Sequence, residues 1–176
     1  MCSMRTIRSK EIYQSRVFRI RQDTLLTGQG KELIRDVVVH PGAVCIVAVE
    51  GGDLLFVRQY RHAAGRELLE LVAGTLEPGE DPEETAAREL QEEAGFKAGK
   101  LTKLGQIYSA PGFCSELLHL YLAEELTPSR LPGDEDEEIE VERIPLEQAL
   151  AMIDRGEFQD AKTVAGVLLY ARRAGR

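Results

Sequence analysis

The sequence predicts an α/β (α+β) fold in which a mixed β-sheet packs against helices. Three observations support this prediction. Segments rich in β-branched and aromatic residues come first, one well-delimited helix follows them, and further strand-like segments precede two closing helices. Strands and helices in this order are typical of a mixed sheet covered by helices. The 176 residues suffice for one domain with a small appendage.

The first 40 residues predict a small β-rich extension. Residues 11–24 and 33–39 are rich in β-branched and other apolar side chains, and residues 27–30 form a glycine-containing turn between them. His40-Pro41-Gly42 interrupts this pattern. We therefore place the boundary there and divide the chain into an N-terminal extension, 1–40, and a main domain, 41–176.

The main domain is predicted to begin with a buried strand. Residues 43–49 form a continuous apolar run bounded by glycines, as expected for a strand that is covered on both faces. A Gly-Gly-Asp hairpin turn at 51–53 leads into a second strand, 54–60. Later strands are predicted at 101–108, 117–122 and 139–144, with a loop at 109–116.

The clearest helix begins after Asp81. This residue can cap the first turn, Pro82 suits the first helical position, and Glu84 completes an acidic capping box. Gly95 is well placed to end the helix. Two further helices close the chain, with apolar positions at Leu146, Leu150 and Ile153 and at Val164, Val167, Leu168 and Ala171.

Charge and composition exclude several classes of protein. Lys and Arg number 22 and Asp and Glu number 30, and the net charge of −8 argues against a general nucleic-acid binder. No apolar run approaches the roughly 18 residues of a membrane helix. The three cysteines form no CxxC pair, and no leader-like segment is evident. We expect a reduced, cytoplasmic protein without nucleic-acid or membrane partners, and a solvated acidic loop at 134–138.

Residues 77–93 concentrate carboxylates, eight of them against the single basic residue Arg88. On a helix, Glu89, Glu92 and Glu93 fall within one quadrant. The neighbouring apolar stripe is formed by Ala86, Leu90 and Ala94. Three carboxylates beside a buried stripe repel one another, so the arrangement favours a bound cation.

Two interpretations of this acidic cluster remain open on charge alone. Hard carboxylate oxygens suit Mg²⁺ or Mn²⁺ better than zinc, which favours a metal site. Arg88 can hold part of the set in place by pairing with Glu84 or Glu92. The alternative is a solvated acidic helix face, since most charge clusters are solvated.

The spacing of these residues resembles the Nudix box. Gly74 is followed after five residues by Glu80 and, after seven more, by Arg88-Glu89-Leu90-Gln91-Glu92-Glu93-Ala94-Gly95-Phe96, which matches every position of that pattern. The resemblance reaches from the strand at residue 43 to the last helix. It implies the Nudix fold, a mixed sheet sandwiched between helices, and metal-dependent hydrolysis of a nucleoside diphosphate that is linked to another group.

The resemblance also assigns roles to the box residues. It implies two or three Mg²⁺, or alternatively Mn²⁺, held by Glu89, Glu93, Glu92, the backbone carbonyl of Ala73 and, as an auxiliary, Glu80. Glu92 also assists catalysis in such boxes, and Arg88 orients the glutamates.

The segment Pro111-Gly112-Phe113-Cys114-Ser115-Glu116 resembles a loop of the ADP-ribose pyrophosphatase subgroup. That loop usually has an acid before its last glutamate, where this chain has Ser115. The resemblance implies hydrolysis of ADP-ribose to AMP and ribose 5-phosphate. It also implies substrate contacts by Pro111 and Gly112 and a general-base role for Glu116. The alternative is an ordinary Pro-Gly turn between strands.

The same subgroup implies further substrate contacts and a partner. Arg61 matches an arginine that contacts the diphosphate, for which a planar guanidinium is suited; the alternative is an ordinary surface arginine. The extension of the subgroup is a small antiparallel sheet that is exchanged within a homodimer. Arg16 and Val17 would then flank the adenine base, or they are ordinary strand residues.

Two other functions compete with ADP-ribose hydrolysis. The chain could act on another Nudix substrate, such as GDP-mannose or a damaged nucleoside triphosphate. It could also be a non-catalytic, nucleotide-sensing Nudix domain, although such domains often have a degraded box and this box is intact.

Overall fold

The computed structural model describes residues 4–133 and 139–176, so the acidic loop expected at 134–138 lies outside the described residues. The described strands are β1 (Met4–Gln14), β2 (Arg19–Thr27), β3 (Glu32–Val39), β4 (Ala43–Glu50), β5 (Asp53–Arg61), β6 (Arg66–Glu70), β7 (Val72–Thr75), β8 (Phe96–Tyr108), β9 (Leu117–Pro128) and β10 (Glu140–Pro145). The described helices are α1 (Pro82–Glu89), α2 (Leu146–Asp154) and α3 (Ala161–Arg173), with a 3₁₀ turn at His62–Ala64 and a π-helical turn at Leu90–Ala94. None of the described helices is long and apolar enough to cross a membrane.

The first of two compact units contains a three-stranded antiparallel sheet in the order β1-β2-β3. The β-rich segment at 11–24 spans parts of two strands, because the chain reverses at residues 15–18. The Ser15 N–H donates to the Phe18 carbonyl over 2.8 Å, and Ser15 Oγ accepts from the Phe18 N–H at 3.0 Å. A hydroxyl that closes a turn in this way outweighs the strand propensity of its apolar neighbours. Arg16 and Val17 therefore lie in a turn and not in a strand.

The first unit also includes Tyr108–Leu117, the segment between β8 and β9. The Val38 N–H donates to the Phe113 carbonyl over 2.8 Å, and the Ser115 N–H donates to the Val38 carbonyl over 2.9 Å. The edge of β3 thus holds this loop through backbone hydrogen bonds. The loop itself was predicted at 109–116, but its attachment to the N-terminal strands was not.

The second unit is built on a seven-stranded mixed sheet. Its main strand order is β10-β5-β4-β9-β8, with β6 paired to β5 and β7 paired to β4. The β4–β9 pair is parallel, whereas β4 pairs with β5 and β7 in the antiparallel sense. The mixed sheet expected from the order of elements is therefore confirmed.

Strand β4 is buried on both of its faces. Alternate residues enter two separate apolar clusters: Cys45 and Val47 belong to the cluster with α2 and α3, and Val44 and Ile46 belong to the cluster with α1. All four side chains have no exposed surface. The sheet of this unit is consequently sandwiched between helices, as the continuous apolar run predicted.

Helix α1 starts where the sequence predicts, and the helical segment that it opens ends at the predicted Gly95. The Asp81 carboxylate accepts the Glu83 N–H at 2.8 Å, and Pro82 occupies the first turn. The π-helical turn follows α1 directly, and Gly95 ends it in the left-handed conformation with a φ of 75°. The predicted inward stripe is confirmed, since Ala86, Leu90 and Ala94 are all buried. The π turn itself was not predicted.

The prediction for α3 is right for most of its apolar positions. Val167 and Ala171 are buried, and Val164 packs partly against the core, but 47% of Leu168 is exposed. Thr163, Gly166, Val167 and Ala171 form the buried face of α3. Leu168 is rotated by about 100° from Val167, on the side away from Gly166, and so lies outside that face. Placing Leu168 in the core was therefore wrong.

The start of α3 is fixed to the junction between β6 and β7. Thr163 Oγ1 accepts the Leu71 N–H at 2.9 Å and donates to Asp160 Oδ2 over 2.6 Å. Thr163 and Leu71 have no exposed surface. At Gly166 a Cβ would lie 2.5 Å from Leu71 Cδ1, so even a methyl group at this position would require the Leu71 side chain to move. One threonine therefore satisfies a buried backbone donor that precedes Val72 and Ala73.

We expect Thr163→Val to lower the free energy of unfolding by about 1–3 kcal/mol, because it leaves the buried Leu71 N–H without an acceptor. Thr163→Ser keeps the acceptor oxygen and should lose less. Urea unfolding followed by far-UV circular dichroism measures both. Thr127→Val at an exposed position is the control and should stay within about 0.5 kcal/mol of wild type. An equal loss in the Val and Ser variants of Thr163 would contradict this account.

Candidate active site

Gly74 in β7 makes room for the carboxyl group of Glu89. A Cβ at residue 74 would lie 1.9 Å from Glu89 Cδ and 2.0 Å from Glu89 Oε1. Such distances are far below van der Waals contact, so no other residue fits at 74 while Glu89 keeps its position. The φ of Gly74 is not positive, and the requirement for glycine comes from the close approach alone.

Glu93 reaches the residue next to Gly74. Its Oε2 accepts the Ala73 N–H at 3.1 Å, and Glu93 is only 5% exposed. Two carboxyl groups, from Glu89 and Glu93, thus converge on adjacent residues of β7. The convergence follows from the packing of α1 and the π turn on the same apolar cluster as β4, which pairs with β7.

Arg88 binds three of the carboxylates at once. Its guanidinium contacts Glu80 Oε1 at 3.1 Å, Glu89 Oε1 at 2.8 Å and Glu92 Oε2 at 2.7 Å. Of the two partners predicted for Arg88, the structure shows Glu92, while Glu80 and Glu89 complete the set. The hydrogen bond to Glu80 and the charges of Glu89 and Glu92 raise the pKa of Arg88. The hydrogen bond from Arg88 lowers the pKa of the Glu80 carboxyl.

Arg61 is held by a buried carboxylate of its own unit. Its Nε and Nη2 donate to the two oxygens of Glu70 over 2.8 Å each, and Glu70 is 1% exposed. Lys162 also binds Glu70. Burial by itself would raise the pKa of Glu70, but the hydrogen bond from Arg61 and the charge of Lys162 outweigh it and lower the pKa to about 2. Glu70 is therefore ionised at neutral pH and holds the guanidinium of Arg61 in a fixed orientation.

Sequence reasoning missed Glu70, which binds Arg61, and Lys162, which binds the same carboxylate. Glu70 is the one charged residue in the run Leu68-Leu69-Glu70-Leu71-Val72, and a lone charge inside an apolar run is the signal that could have found it. Lys162 gives no comparable signal, because it occupies the first turn of an amphipathic helix, where a lysine is normally solvated.

The remaining predicted site residues lie in the first unit. Residues 110–114 form a tight turn in which the Phe113 and Cys114 N–H groups both donate to the Ala110 carbonyl, at 3.1 and 2.9 Å. Pro111 and Gly112 are in this turn, and Glu116 follows it with an oxygen 3.7 Å from His40 Nδ1. Arg16 and Val17 lie in the β1–β2 turn, where 42% of Val17 is exposed.

Comparison with known proteins identifies the family. A model of the NUDIX domain matches residues 38–167. The chain belongs to the Nudix family. It is 41% identical over 166 residues to the ADP-ribose pyrophosphatase of Bacillus subtilis, with 93% of this chain and 90% of that protein covered. It is 40% identical over 167 residues to the ADP-ribose pyrophosphatase of Mycobacterium tuberculosis, with 93% and 81% covered.

A solved structure supports the same assignment. The crystal structure of an ADP compounds hydrolase superposes with a TM-score of 0.87 at 28% sequence identity, and the match covers 98% of this chain and 96% of that one. The chain is therefore a Nudix hydrolase, and its fold is the Nudix fold that the box implied.

The Nudix box of this chain supplies the oxygen donors that Mg²⁺ and Mn²⁺ prefer. The Glu89 carboxyl occupies the space that a Cβ at Gly74 would fill, against the backbone of β7. The Glu93 carboxyl binds the adjacent residue of that strand, Ala73. Among the described residues, no group of three or more His, Cys, Asp or Glu side chains is arranged to hold a metal ion. Arg88 instead binds three of the carboxylates. The donor chemistry thus fits a divalent ion, and the ion pairs of Arg88 occupy part of the donor set.

Gly74→Ala should displace the Glu89 carboxyl and lower kcat of the hydrolase by about 10²-fold, since misplacing a reacting or ligating group by about 1 Å can cost that much. The backbone of residue 74 tolerates alanine, so the fold should persist in a thermal melt. Gly105→Ala is the matched control, because a Cβ at this β8 position meets no atom within 4 Å. Wild-type kcat in the Gly74 variant would show that the position of Glu89 does not matter.

Proposed function

We propose that this Nudix hydrolase cleaves the diphosphate of ADP-ribose and releases AMP and ribose 5-phosphate in a reaction that depends on divalent metal ions. The observation that carries the proposal is the convergence of the Glu89 and Glu93 carboxyls on Ala73 and Gly74 of β7. Two observations support ADP-ribose as the substrate. The loop that ends at Glu116 resembles a loop of the ADP-ribose pyrophosphatase subgroup, and two of the relatives are named ADP-ribose pyrophosphatase.

The metal site in this proposal consists of oxygen atoms on the box and on β7. Two or three Mg²⁺ ions, or Mn²⁺ in their place, would be held by Glu89, Glu93, Glu92, the Ala73 carbonyl and Glu80. Bound there, such ions would neutralise the diphosphate and lower the pKa of a water ligand. Their charge also resolves the repulsion between a protein of net charge −8 and an anionic substrate.

Glu116 is the general base in this proposal. Its carboxylate takes a proton from the attacking water while the water oxygen bonds to the adenosyl phosphorus. The bond between that phosphorus and the bridging oxygen breaks, and the oxygen leaves with ribose 5-phosphate. General-base assistance of this kind is typically worth about 10²–10⁴-fold.

Five residues bind the substrate in this proposal. Arg61 contacts the diphosphate, for which a planar guanidinium is suited. Arg16 and Val17 flank the adenine, and exposure of the Val17 side chain is compatible with that contact. Pro111 and Gly112 shape the loop beside the substrate.

We further propose that the chain is a cytoplasmic homodimer that exchanges its N-terminal sheet. All eleven residues of β1 are exposed, among them Met4, Ile7, Ile12 and Tyr13. A three-stranded sheet with that much uncovered apolar surface has little core of its own, so a partner subunit would bury it. In the described part of the chain, the buried Cys45 and the half-buried Cys114 are both free thiols, which is compatible with a reducing compartment.

A substrate panel tests the proposed reaction. We expect ADP-ribose to give the highest kcat/KM among ADP-ribose, GDP-mannose, NADH, diadenosine polyphosphates and 8-oxo-dGTP, with AMP and ribose 5-phosphate as products by chromatography. Excess EDTA should abolish turnover. Arg88 already forms ion pairs with three carboxylates, so its charge cannot replace that of a metal ion at the diphosphate. A preference for GDP-mannose would assign the other substrate class, and no turnover of any member would favour a nucleotide-sensing domain.

Two glutamine variants separate metal binding from base catalysis. Glu93→Gln weakens a ligand, so the Mg²⁺ concentration for half-maximal rate should rise and most activity should be lost while the fold persists. Glu116→Gln should lower kcat by about 10²-fold or more and leave KM and the Mg²⁺ dependence nearly unchanged. The measurement is kcat against Mg²⁺ concentration for both. If excess Mg²⁺ restores the Glu116 variant, Glu116 is a ligand and the base assignment fails.

Light scattering tests the homodimer. At micromolar concentration the wild type should have twice the mass of one chain. Ile12→Asp places a charge on the exposed surface of β1 and should shift the mass toward the monomer, whereas Glu11→Gln, one position earlier, is the control. A fully active wild-type monomer would refute the exchanged sheet.

A further inference from the structure

Residues 129–131, which follow β9, bind the end of the helical segment that carries the box glutamates. The Ser129 N–H donates to the Gly95 carbonyl over 2.9 Å, and the Leu131 N–H donates to the Gln91 carbonyl over 3.3 Å. The last carbonyls of a helix have no partner within the helix and need one from elsewhere. The 129–131 segment supplies two such donors, although Ser129 lies 38 residues after Gln91 in the chain.

The side chain of Gln91 makes a further connection to the same segment. Gln91 Nε2 donates to the Ala87 carbonyl over 2.9 Å, and Gln91 Oε1 accepts a hydrogen bond from Ser129 Oγ at 3.0 Å. The amide thus joins the last turn of α1 to the 129–131 segment. Both residues are half-buried, where a hydrogen bond is stronger than in open water.

These contacts favour the π-helical form of the turn at Leu90–Ala94. In an α-helix the Gly95 N–H would bind the Gln91 carbonyl, four residues earlier. Here the Gly95 N–H donates instead to the Leu90 carbonyl, five residues earlier, as in a π-helix. The Gln91 carbonyl accepts the Leu131 N–H, so the 129–131 segment replaces the hydrogen bond that the π turn gives up.

The π turn contains Glu92 and Glu93, two of the proposed metal ligands. Glu93 reaches β7, where its Oε2 accepts the Ala73 N–H at 3.1 Å. A return of the turn to α-helical hydrogen bonding would rotate Glu93 relative to Glu89, which precedes the turn. The carboxyls of Glu89 and Glu93 would then no longer meet adjacent residues of β7.

We propose that Gln91 and Ser129 are positioning residues for the metal site. Their contact holds the π turn, and the π turn holds the Glu92 and Glu93 carboxyls where a divalent ion can bind them. This inference rests on the metal dependence in the proposed function. Neither residue is a ligand in this role, so replacing one of them should weaken metal binding while every ligand remains.

Binding of Mn²⁺ to the substrate-free protein measures this role without any turnover. A titration in which electron paramagnetic resonance reports the free Mn²⁺ gives the Kd. Ser129→Ala removes the hydroxyl and should raise the Kd for Mn²⁺ by about tenfold, the lower end of what changes around metal ligands cost. Ser129→Thr keeps the hydroxyl and should bind Mn²⁺ as the wild type does.

Thr127→Ala is the matched control. This exposed hydroxyl lies two residues before Ser129 and donates to the Lys97 carbonyl over 3.4 Å. Its removal should therefore leave the Kd for Mn²⁺ unchanged. An increase as large as that of Ser129→Ala would contradict the proposal, because the loss of any nearby hydroxyl would then have the same effect.

A double-mutant cycle tests whether the two residues act through their shared contact. In the Gln91→Ala background the Ser129 hydroxyl has no amide to bind, so adding Ser129→Ala should not raise the Kd for Mn²⁺ further. Equal increases in both backgrounds would mean that Ser129 acts independently of Gln91, and the proposal would be wrong. If Gln91→Ala does not fold, the Kd values of Ser129→Ala and Ser129→Thr decide alone.

Thermal melts of the metal-free variants separate positioning from packing. A lower melting temperature of Ser129→Ala together with a wild-type Kd would make the contact merely structural and overturn the proposal. The proposed function is tested by the wild type alone. A wild type that binds no Mn²⁺ refutes the metal-dependent reaction and this inference with it, whereas equal binding by the wild type and Ser129→Ala refutes only the role of Gln91 and Ser129.

Discussion

Electrostatic repulsion among the box carboxylates is the constraint on which the chemistry of the second unit depends. Glu89 and Glu93 converge on Gly74 and Ala73, although crowding like charges near the core is unfavourable. Apolar packing of α1 and the π turn against the sheet offsets this unfavourable free energy. Arg88 offsets part of that repulsion through its three carboxylate partners. The position of the Glu89 carboxyl also requires glycine at residue 74, because the carboxyl lies where the Cβ of any other residue would be.

Much of this region could be predicted because local rules and the packing agree there. Asp81, Pro82 and Gly95 act at the ends of the helical segment as capping chemistry requires. The inward stripe of the helix follows from its 3.6-residue period, and burial of β4 follows from its uninterrupted apolar run. The spacing of its residues made the Nudix box recognisable, and the structure brings Glu89 and Glu93 to Gly74 and Ala73 of β7.

The features that escaped prediction depend on partners distant in sequence. Nothing near Arg61 indicates that Glu70 and Lys162 bind one another, because their contact requires α3 to pack beside β6. Attachment of the 109–116 loop to β3 likewise depends on residues far apart in the chain. The reversal at Ser15 was missed for a different reason: a side-chain hydrogen bond overrides the strand propensity of its neighbours.

The parallel pairing of β4 with β9 has a consequence for how the chain folds. Ala43 lies opposite Leu118, so the central strand gains one of its neighbours only after most of the sequence has been synthesised. Until then an apolar strand, which is covered on both faces in the native protein, stays exposed on one edge. Non-local contacts of this kind slow folding and lengthen the time in which such strands can aggregate. The geometry that gives the finished enzyme its buried centre therefore leaves one edge of this apolar strand unpaired until β9 has been made.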